Sequence, residues 1–496
     1  MSVVDFSQAA KKHSGDPRTS GKRHWVRFLT AASLFDGHDA AINIMRRILQ
    51  ASGAEVIHLA HNRSVQEIVE AAVQEDVDAI AISSYQGGHI EYFKYLIDRL
   101  NELGAPHIKV FGGGGGVIIP EEIEELHQYG VTRIYAPSDG QNLGLQGMID
   151  EMLTLSSGDI KGESTPDLEL LTTGNRLSLT QVISAIENGR YDEHQLGHLI
   201  ENSLKSSSTP ILGITGTGGA GKSSSTDEII RRFRQDSNDS MRIAVLAIDP
   251  TRKKTGGALL GDRIRMNAIN HPNIFMRSLA TRDARTEVPE NLHATLAAIK
   301  LADFDLVIVE TPGIGQGDAG IVPFVDVSLY VMTPEFGAAS QLEKIDMLDY
   351  ADVFAINKFD RKGSEDALRD VSKQVQRNRG AFSQMPDEMP VFGTIASKFN
   401  DDGITALYQL LVEELEKKGL KKFERHLTKV DVKTSSHRSL IIPAQQQRYL
   451  AEIAAEVRDY HSIVAIQSKL ARERQQLQAS KAMLDASDEN SNNLDA

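Results

Sequence analysis

The sequence predicts an α/β protein with two parallel-sheet domains and a helical C-terminal segment. Three observations support this fold class. Residues 24–155 alternate short apolar runs with amphipathic stretches, and the apolar run Ile211–Ile214 leads into a glycine-rich turn at 216–223. Residues 445–481 are rich in Ala, Glu, Gln, Arg and Leu and contain neither Gly nor Pro, which is typical of long helices.

Five apolar runs in the first region are each followed by a helical stretch. We therefore expect five βα units and a doubly wound, flavodoxin-like sheet. The predicted strands are His24–Ala31, Glu55–Leu59, Ala79–Ser83, Ile108–Phe111 and Arg133–Tyr135. Ligands of such sheets bind beyond the carboxyl ends of the strands, so the loops that follow the strands are the candidate functional segments.

Three of these loops have unusual sequences, which read D-G-H-D at 36–39, S-S-Y at 83–85 and G-G-G-G-G at 112–116. Five consecutive glycines indicate that a bulky group approaches the backbone, because no side chain is left to pack there. His38 can ligate a transition metal while Asp36 accepts its second N–H. A dinucleotide-binding domain is the main alternative, but the first loop lacks G-x-G-x-x-G.

The turn at 216–223 reads G-T-G-G-A-G-K-S and lies between a predicted strand and a predicted helix. This context favours a phosphate-binding loop of the form G-x-x-x-x-G-K-[ST], so we expect a nucleoside triphosphate to bind here. Lys222 can neutralise the β- and γ-phosphate oxygens and is a candidate catalytic residue, while the Ser223 hydroxyl can hold Mg²⁺. The predicted nucleotide contacts in this loop are Gly219, Ala220, Gly221, Lys222, Ser223 and Ser224.

The identity of the base is predicted from N-K-F-D at 357–360, which follows the apolar run 353–356. The Asp360 carboxylate can accept both neighbouring N–H donors of guanine, whereas adenine offers no such pair. We therefore expect GTP rather than ATP. The predicted base-binding residues are Asn357, Lys358, Phe359 and Asp360. Ser397-Lys398 is a candidate for a further base-contacting loop, with a plain surface loop as the alternative.

The metal and hydrolysis elements are predicted from D-L-V-I-V-E at 305–310, a buried-strand pattern that ends in Glu310. A carboxylate at this position can contact Mg²⁺ directly or through water, and the glycines of T-P-G-I-G-Q-G at 311–317 permit a switch that senses the γ-phosphate. Glu310 is therefore the second candidate catalytic residue. Arg265 is a candidate nucleotide contact. The candidate Mg²⁺ ligands are Ser223, Ile248, Asp249, Asp262, Glu310 and Thr311.

Two of these segments resemble a known family, the GTPase chaperones of adenosylcobalamin mutases. Residues 249–266 match D-P-T-x-x-x-T-G-G-A-L-L-G-D-x-x-R-M, and residues 310–316 match E-T-P-G-I-G-Q. The resemblance covers about residues 206–420. It implies that the second domain hydrolyses GTP in the service of a cobalamin-dependent enzyme.

The N-terminal loops resemble the signature of base-off, His-on cobalamin-binding domains. D-x-H at 36–38 is followed at the family's spacing by S-x-Y at 83–85 and by G-G at 112–113. The resemblance implies that His38 replaces dimethylbenzimidazole as the lower axial ligand of cobalt. It also implies that Asp36 supports His38 and that Ser83, Gly112 and Gly113 line the slot for the displaced nucleotide tail.

Three residues depart from the general cobalamin pattern. Ala41 stands in place of Gly, Tyr85 in place of Leu, and Ala32 in place of a Lys that many relatives carry. These departures resemble one subgroup, the fused isobutyryl-CoA mutases, in which a cobalamin domain and a GTPase chaperone precede an acyl-CoA-binding barrel. This resemblance runs from about residue 22 to residue 480.

The subgroup resemblance implies adenosylcobalamin and Mg²⁺ as cofactors, GTP as a substrate, and radical isomerisation of isobutyryl-CoA and n-butyryl-CoA. It further implies an acyl-CoA-binding barrel domain or subunit as partner, an adenosyltransferase as cofactor donor, and a homodimer. Two alternatives remain. One is a stand-alone GTPase metallochaperone that delivers cobalamin to a separate acyl-CoA mutase such as methylmalonyl-CoA mutase. The other keeps the GTPase but assigns the first domain to another ligand such as FMN.

Composition shifts predict the domain boundaries. These are a mobile N-terminus at 1–22, a cobalamin-binding domain at 23–155, a helical linker at 156–205, a P-loop GTPase domain at 206–420, and a helical linker with a polar tail at 421–496. An acyl-CoA barrel needs about 250 residues, and 76 residues follow Leu420. We therefore expect the chain to be the front part of a longer enzyme or to serve a separate barrel subunit.

Charge and cysteine usage restrict the functional class. The chain has 68 acidic and 54 basic residues, a net charge of −14 that argues against a nucleic-acid surface. It has no Cys, which excludes disulfides and thiolate metal sites and fits the cytoplasm. No apolar run approaches the roughly 20 residues needed to cross a bilayer, and the N-terminus lacks the apolar core of a secretory signal.

Overall fold

The computed structural model describes residues 25–157, 165–252, 254–282, 288–313, 319–337, 342, 345–436 and 449–492. The chain divides into two compact units, 1–436 and 437–496. The predicted mobile N-terminus and the predicted switch glycines Gly315 and Gly317 lie outside the described residues.

The first sheet of the larger unit is parallel and has the strand order β5-β4-β3-β1-β2-β8. Its first five strands are β1 (Arg27–Ala32), β2 (Glu55–His58), β3 (Ala79–Ser83), β4 (Lys109–Gly113) and β5 (Arg133–Tyr135). The helices of these units are α1 (Ala40–Ala51), α2 (Val65–Gln74), α3 (His89–Glu102), α4 (Pro120–Tyr129) and α5 (Pro137–Ser156). The predicted flavodoxin-like arrangement of five βα units is confirmed.

The sixth strand of this sheet, β8 (Ala258–Leu260), was not predicted. It comes from the GTPase part of the chain and pairs in parallel with β2, from Ala258 opposite Glu55 to Leu260 opposite Ile57. A three-residue strand is too short to show periodicity. Its pairing partner also lies about two hundred residues away in the sequence, so local patterns do not reveal it.

The second sheet is also parallel, with the order β13-β12-β11-β6-β10-β7-β9. Its strands are β6 (Ile211–Gly216), β7 (Ile243–Asp249), β9 (Ile274–Ala280), β10 (Leu306–Glu310), β11 (Val327–Met332), β12 (Val353–Asn357) and β13 (Val391–Thr394). The helices that follow them include α8 (Lys222–Asp236), α9 (Leu292–Leu301), α10 (Met347–Tyr350), α11 (Ser364–Asn378) and α12 (Asp402–Lys417). Helices cover both faces of the sheet, which explains why these strands are almost continuously apolar.

Two helices between the sheets, α6 (Arg176–Glu187) and α7 (Glu193–Ser206), fall in the region predicted as a linker. Their apolar residues, among them Val182, Ile186 and Leu199, share one buried core with Leu246 and Phe275 of the second sheet. The region is helical, as predicted, and these two helices pack against the second sheet. The composition shifts did not reveal the apolar stripe by which they cover it.

A buried network of charges joins the two sheets. Arg27 in β1 lies 2.7 Å from Glu55 in β2 and 3.0 Å from Glu187 at the end of α6, and all three side chains are at most 7% exposed. Glu187 also pairs with Arg277 in β9. Burial alone would raise the pKa of Glu187, but Arg27, Arg277 and Arg282 hold it at about 2. The network is therefore fully charged at neutral pH.

The second compact unit contains one helix, α13 (Tyr449–Asn492), of 44 residues. It extends past the predicted helical segment 445–481 and into the predicted polar tail, because Ala, Met, Leu, Asp, Glu and Ser continue without a helix-breaking Gly or Pro. Of the helices within the described ranges, none combines the length and apolar character needed to span a membrane.

We predict that Glu187→Gln destabilises the larger unit by roughly 3–5 kcal/mol, because it leaves buried arginines without their counter-charge. Thermal unfolding followed by circular dichroism measures the effect. Glu193→Gln is the matched control, since Glu193 lies exposed in the first turn of the next helix. Equal melting temperatures for the two variants would show that the network contributes little to stability.

Candidate functional site

A cavity of about 310 Å³ opens at the carboxyl edge of the first sheet. Its walls are predominantly apolar and come from α1, the ends of β3 and β4, and α5. The lining residues include Ala41, Ile42, Met45, Ser83, Tyr85, Phe111, Gly112–Gly115, Tyr135, Met148 and Met152. The predicted residues Ser83, Gly112 and Gly113 therefore lie together at one ligand-sized site, whereas the contributions of α1 and α5 were not predicted.

His38 stands beside this cavity with 77% of its side chain exposed. Its Nδ1 lies 2.8 Å from Asp36 Oδ1, and its ring centroid lies 5.7 Å from that of Tyr85, which lines the cavity. An ionised carboxylate only accepts hydrogen bonds, so Nδ1 carries the proton in the neutral ring. The lone pair of Nε2 is then available to a metal, as in other carboxylate-oriented histidines.

Asp36 is buried and rigidly held. Its Oδ1 also accepts the His38 backbone N–H at 2.9 Å, and its Oδ2 accepts the Tyr85 backbone N–H at 2.6 Å. Burial alone would raise its pKa, but the hydrogen bonds from Tyr85 and His38 lower it below the ordinary value. Asp36 is therefore ionised at neutral pH, and its carboxylate fixes the orientation of His38. This contact uses the backbone N–H of Tyr85, so it does not require Leu at this position.

The glycine run at 112–116 has a different physical basis from the one we expected. A Cβ on Gly112 would lie 2.5 Å from Phe93 and Ile134, and one on Gly114 would lie 2.0 Å from the Ser84 carbonyl oxygen. At these positions the groups that approach the backbone belong to the protein itself. A Cβ on Gly116 would meet nothing within 4 Å. The expected close approach to the backbone is therefore present at Gly112 and Gly114, where protein groups make it, whereas the space at Gly116 is open.

Ser83 supplies a polar group to the otherwise apolar cavity. The residue is 6% exposed, and its Oγ has no hydrogen-bond partner among the described residues. A buried hydroxyl without a partner costs about 1–3 kcal/mol. A ligand with a donor or acceptor in the cavity would satisfy it.

The predicted phosphate-binding loop joins β6 to α8. Gly221 caps α8 with a positive φ of 92°, and a Cβ on it would lie 2.4 Å from Asn357 Nδ2. The buried Lys222 donates from Nζ to the Gly216 and Thr217 carbonyl oxygens at 3.1 and 3.3 Å. The Lys222 ammonium is therefore held over its own loop, where phosphate oxygens bind in proteins with this motif.

Three predicted oxygen ligands meet beneath this loop. Ser223 Oγ lies 2.9 Å from Asp262 Oδ1 and 2.7 Å from Glu310 Oε1, and Thr226 Oγ1 donates to Glu310 Oε2 at 2.8 Å. The Ser223 hydroxyl has one proton and can donate to only one of the two carboxylates. Burial, and then the nearby Asp262, raise the pKa of Glu310 to about 7, so a proton on Glu310 can complete the second hydrogen bond.

Asp249 belongs to the same group of charges. Burial, and then Asp262, raise its pKa well above the ordinary value, and its Oδ2 accepts the Gly261 N–H at 3.1 Å. A nearby cation stabilises the ionised form of such carboxylates, so their raised pKa values favour a cation-binding site here. Within the described residues, no three His, Cys, Asp or Glu side chains are arranged to hold a metal by themselves. Hydroxyl and phosphate oxygens would have to complete the coordination.

Two predicted Mg²⁺ ligands do not reach this group. The Ile248 side chain lies in the apolar core, and its backbone pairs with Leu279 within the sheet. Thr311 Oγ1 donates to Thr215 Oγ1 at 2.8 Å. In this structure both side chains make other contacts, and the assignment of the two residues as Mg²⁺ ligands stays a prediction. Arg265 is 65% exposed and bonds Asp262 at 3.3 Å, so it lies at the edge of the site.

The predicted base-binding residues lie at the ends of β12 and β13. Asn357 donates from Nδ2 to the Ala220 carbonyl oxygen at 2.7 Å and accepts the Ala396 N–H at 3.0 Å. It therefore ties the phosphate loop to the loop that contains Ser397 and Lys398, a bridging role that sequence reasoning missed. Lys358 donates to the Gly219 carbonyl oxygen at 2.7 Å.

The remaining members of the two nucleotide motifs differ in exposure. Asp360 is exposed, which leaves its carboxylate accessible to a base, whereas the Phe359 side chain is buried. Ser224 is exposed on the first turn of α8, and Ala220 is buried. Ala220 therefore contributes its backbone rather than its side chain to the loop.

Comparison with known proteins identifies the two domains in which these sites lie. The family model for the methylmalonyl-CoA mutase-associated GTPase MeaB matches residues 179–494, and the B12-binding domain model matches residues 26–141. A fused isobutyryl-CoA mutase of Cupriavidus metallidurans is 61% identical over 484 residues, which cover 98% of this chain and 44% of that protein. The chain therefore spans less than half the length of this relative.

Similarity also extends to separate GTPases. A putative GTPase of Pyrococcus abyssi is 33% identical over 276 residues, which cover 54% of this chain and 82% of that protein. Among solved structures, a LAO/AO transport system kinase aligns with 21% identity and a TM-score of 0.36, covering 51% of this chain and 74% of that one.

We predict that Gly114→Ala and Gly116→Ala behave differently although they add the same methyl group. The first must displace the Ser84 carbonyl and should cost about 1–3 kcal/mol of stability. The second enters open space and should change stability by less than about 0.5 kcal/mol. Thermal unfolding of the two variants tests this. Equal loss in both would mean that the run is needed for backbone flexibility rather than for close packing.

Proposed function

Since this chain belongs to the MeaB family of GTPases and carries a B12-binding domain before the GTPase, we propose that it is the adenosylcobalamin-binding and GTP-hydrolysing part of an isobutyryl-CoA mutase. The reaction would be the reversible isomerisation of isobutyryl-CoA and n-butyryl-CoA. The GTPase would gate the loading or release of the cofactor. Identity of 61% to a fused isobutyryl-CoA mutase over 98% of the chain supports this proposal.

The observation that carries the cobalamin assignment is the His38 imidazole. It is exposed, oriented by a buried carboxylate, and placed beside an apolar cavity. His38 would hold the cobalt through its Nε2 lone pair. The cavity would take the displaced nucleotide tail, whose flat aromatic base suits walls of Phe, Tyr and Met side chains, and the unpartnered Ser83 hydroxyl would bond to it. When bound, adenosylcobalamin supplies a cobalt–carbon bond whose homolysis starts radical exchange.

GTP hydrolysis would use the residues beneath the phosphate loop. The backbone N–H groups of the loop and Lys222 would bind the phosphates, and Asp360 would accept the two N–H donors of guanine. Ser223, Asp262 and Glu310 fit Mg²⁺, because oxygen atoms are its preferred ligands and each carboxylate already lies within 2.9 Å of the Ser223 hydroxyl. When bound, Mg²⁺ would offset the negative charge of the phosphates.

The wider partners follow from the same proposal. An acyl-CoA-binding barrel, as a domain or a subunit, would enclose the substrate, and an adenosyltransferase would donate the cofactor. The family resemblance also implies a homodimer. A stand-alone metallochaperone for a separate acyl-CoA mutase is the second candidate, favoured by the match to separate GTPases such as that of Pyrococcus abyssi. Isomerisation assays with a separately supplied barrel distinguish the two roles.

We predict that His38→Ala abolishes the conversion of adenosylcobalamin to its base-off, histidine-ligated form, because it removes the exposed ring nitrogen that Asp36 orients. Absorbance spectra of the cofactor titrated with protein measure the conversion. His61→Ala is the control, since His61 is exposed on the loop after the neighbouring strand β2. If the His38 variant produced the wild-type spectrum, the axial-ligand assignment would be wrong.

We predict that Asp360→Asn weakens GTP binding roughly ten- to hundredfold, the worth of a hydrogen bond to a charged group. Xanthosine triphosphate should bind this variant better than GTP, because an amide N–H can donate to the oxygen that replaces the guanine amino group. Fluorescent-nucleotide titration measures both affinities. Asp366→Asn, at an exposed position of α11, should bind GTP like the wild type. A variant that kept full GTP affinity would exclude Asp360 from base recognition.

A further inference from the structure

The sheet of the cobalamin-binding domain is completed by a strand from the GTPase. Strand β8 lies within residues 254–265, here called the β8 segment, which follows Asp249 at the end of β7 and contains Asp262. Besides the register with β2, the Ala258 N–H donates to the Ala54 carbonyl oxygen at 3.2 Å. One domain therefore holds, by backbone pairing, a stretch of chain that enters the nucleotide site of the other.

The contact between β8 and the cobalamin-binding domain is a close fit of backbone on backbone. A Cβ on Gly257 would lie 2.2 Å from the Gln50 carbonyl oxygen and 2.8 Å from that of Ala54. Neither oxygen belongs to a flexible side chain, so only glycine allows the strand to approach this far. The T-G-G part of the GTPase motif thus serves docking to the neighbouring domain.

Arg263 forms a second anchor between the domains. It is 8% exposed, and its Nε donates to Glu75 Oε1 at 3.1 Å. Its Nη2 donates to Gln74 Oε1 at 3.0 Å and to the Met276 carbonyl oxygen at 2.7 Å. Gln74 Oε1 also accepts the Met276 N–H at 3.2 Å. Charge-assisted bonds in a buried setting are among the strongest that proteins form, so this position is tightly fixed.

Asp262 directly precedes Arg263, the anchor residue, in the chain. Consecutive Cα atoms are about 3.8 Å apart, and Asp262 Oδ1 accepts the Ser223 hydroxyl of the phosphate loop at 2.9 Å. A shift of Arg263 away from α2 would therefore displace the Asp262 carboxylate. The residues that hold Arg263, Gln74 and Glu75, lie at the end of α2 in the cobalamin-binding domain.

We propose that the cobalamin-binding domain positions Asp262 in the nucleotide site through β8 and Arg263, so that Mg²⁺·GTP binding and cobalamin binding are coupled. Arg263 and Gln74 are then positioning residues for the GTPase. This inference rests on the proposed function and adds the element that connects its two sites. Because such coupling is reciprocal, the factor by which cobalamin changes nucleotide affinity equals the factor by which Mg²⁺·GTP changes cobalamin affinity.

The first test changes Gln74, a residue of the cobalamin-binding domain that lies far in the sequence from the phosphate-binding loop. Isothermal titration of Mg²⁺ into the intact chain, loaded with a non-hydrolysable GTP analogue, measures metal affinity without turnover. Gln74→Ala should weaken Mg²⁺ binding by up to roughly tenfold, the lower end of the effect of losing a group bonded directly to a metal ligand, because Arg263 keeps its bonds to Glu75 and the Met276 carbonyl. Gln74→Glu should retain wild-type affinity, because both neighbours of Gln74 Oε1 are donors. Gln66→Ala, at an exposed position of α2, is the control.

Wild-type Mg²⁺ affinity in Gln74→Ala would overturn the positioning role. Nucleotide affinity in the absence of Mg²⁺ should be the same in all four proteins, which distinguishes displaced Asp262 from general unfolding of the GTPase.

The second test uses the single tryptophan of the chain, Trp25. Its ring lies 3.4 Å from the place of a Cβ on Gly256 and 5.7 Å from the Arg282 guanidinium, so its fluorescence reports the contact with the β8 segment. Addition of Mg²⁺ and the GTP analogue should change the emission and the cobalamin affinity of the wild type. Both responses should be lost in Gly257→Ala and retained in Gly197→Ala, where a Cβ meets nothing within 4 Å.

Equal cobalamin affinity with and without Mg²⁺ and the analogue in the wild type would overturn the coupling, as would a full response in Gly257→Ala. Failure of the proposed function gives a different result. If the wild type bound no nucleotide without Mg²⁺, or gave no cobalamin spectrum without nucleotide, the sites themselves would be misassigned. If both bind and the variants equal the wild type, only the coupling is rejected.

Discussion

The buried ion network around Arg27 and Glu187 constrains the whole of the larger unit. Charges taken out of water must find partners, and these partners come from both sheets: β1 and β2 on one side, α6 and β9 on the other. Removing either sheet would leave several buried charges without a counter-ion, at a cost of several kcal/mol each. The two domains are therefore parts of one folded body rather than modules on a string.

This network holds together the two sheets that carry the candidate sites. Both lie at the carboxyl edges of parallel sheets, as is general for α/β proteins, but they differ in how their groups are held. His38 is exposed and depends on one buried carboxylate, Asp36, for its orientation. Ser223, Asp262 and Glu310 are buried and crowded, which raises the pKa of Glu310 to about 7. The exposed His38 suits a large ligand that covers its ring. The crowded carboxylates of the second site suit a cation that offsets their negative charge.

Local patterns predicted what depends on local sequence. The strands Ala79–Ser83 and Arg133–Tyr135 agree residue by residue with the structure, and the motif residues around His38 and Ser223 lie together as expected. Features that depend on distant partners were missed: the strand β8, the packing of α6 and α7, and the bridge from Asn357 to Ala220. The side-chain contacts of Ile248 and Thr311 were not predicted either, because motif spacing places a residue at a strand end without giving its side-chain direction.

Strand β8 also covers an edge of the first sheet that would otherwise be exposed. Without it, β2 would become the outer strand of the first sheet and would present unpaired N–H and C=O groups to solvent, a surface on which other strands can add. If the two domains were separate chains, β2 would be an exposed edge strand and would favour self-association by strand pairing. The short Ala258–Leu260 stretch covers that edge, so the first sheet depends on the GTPase part of the chain for its complete form.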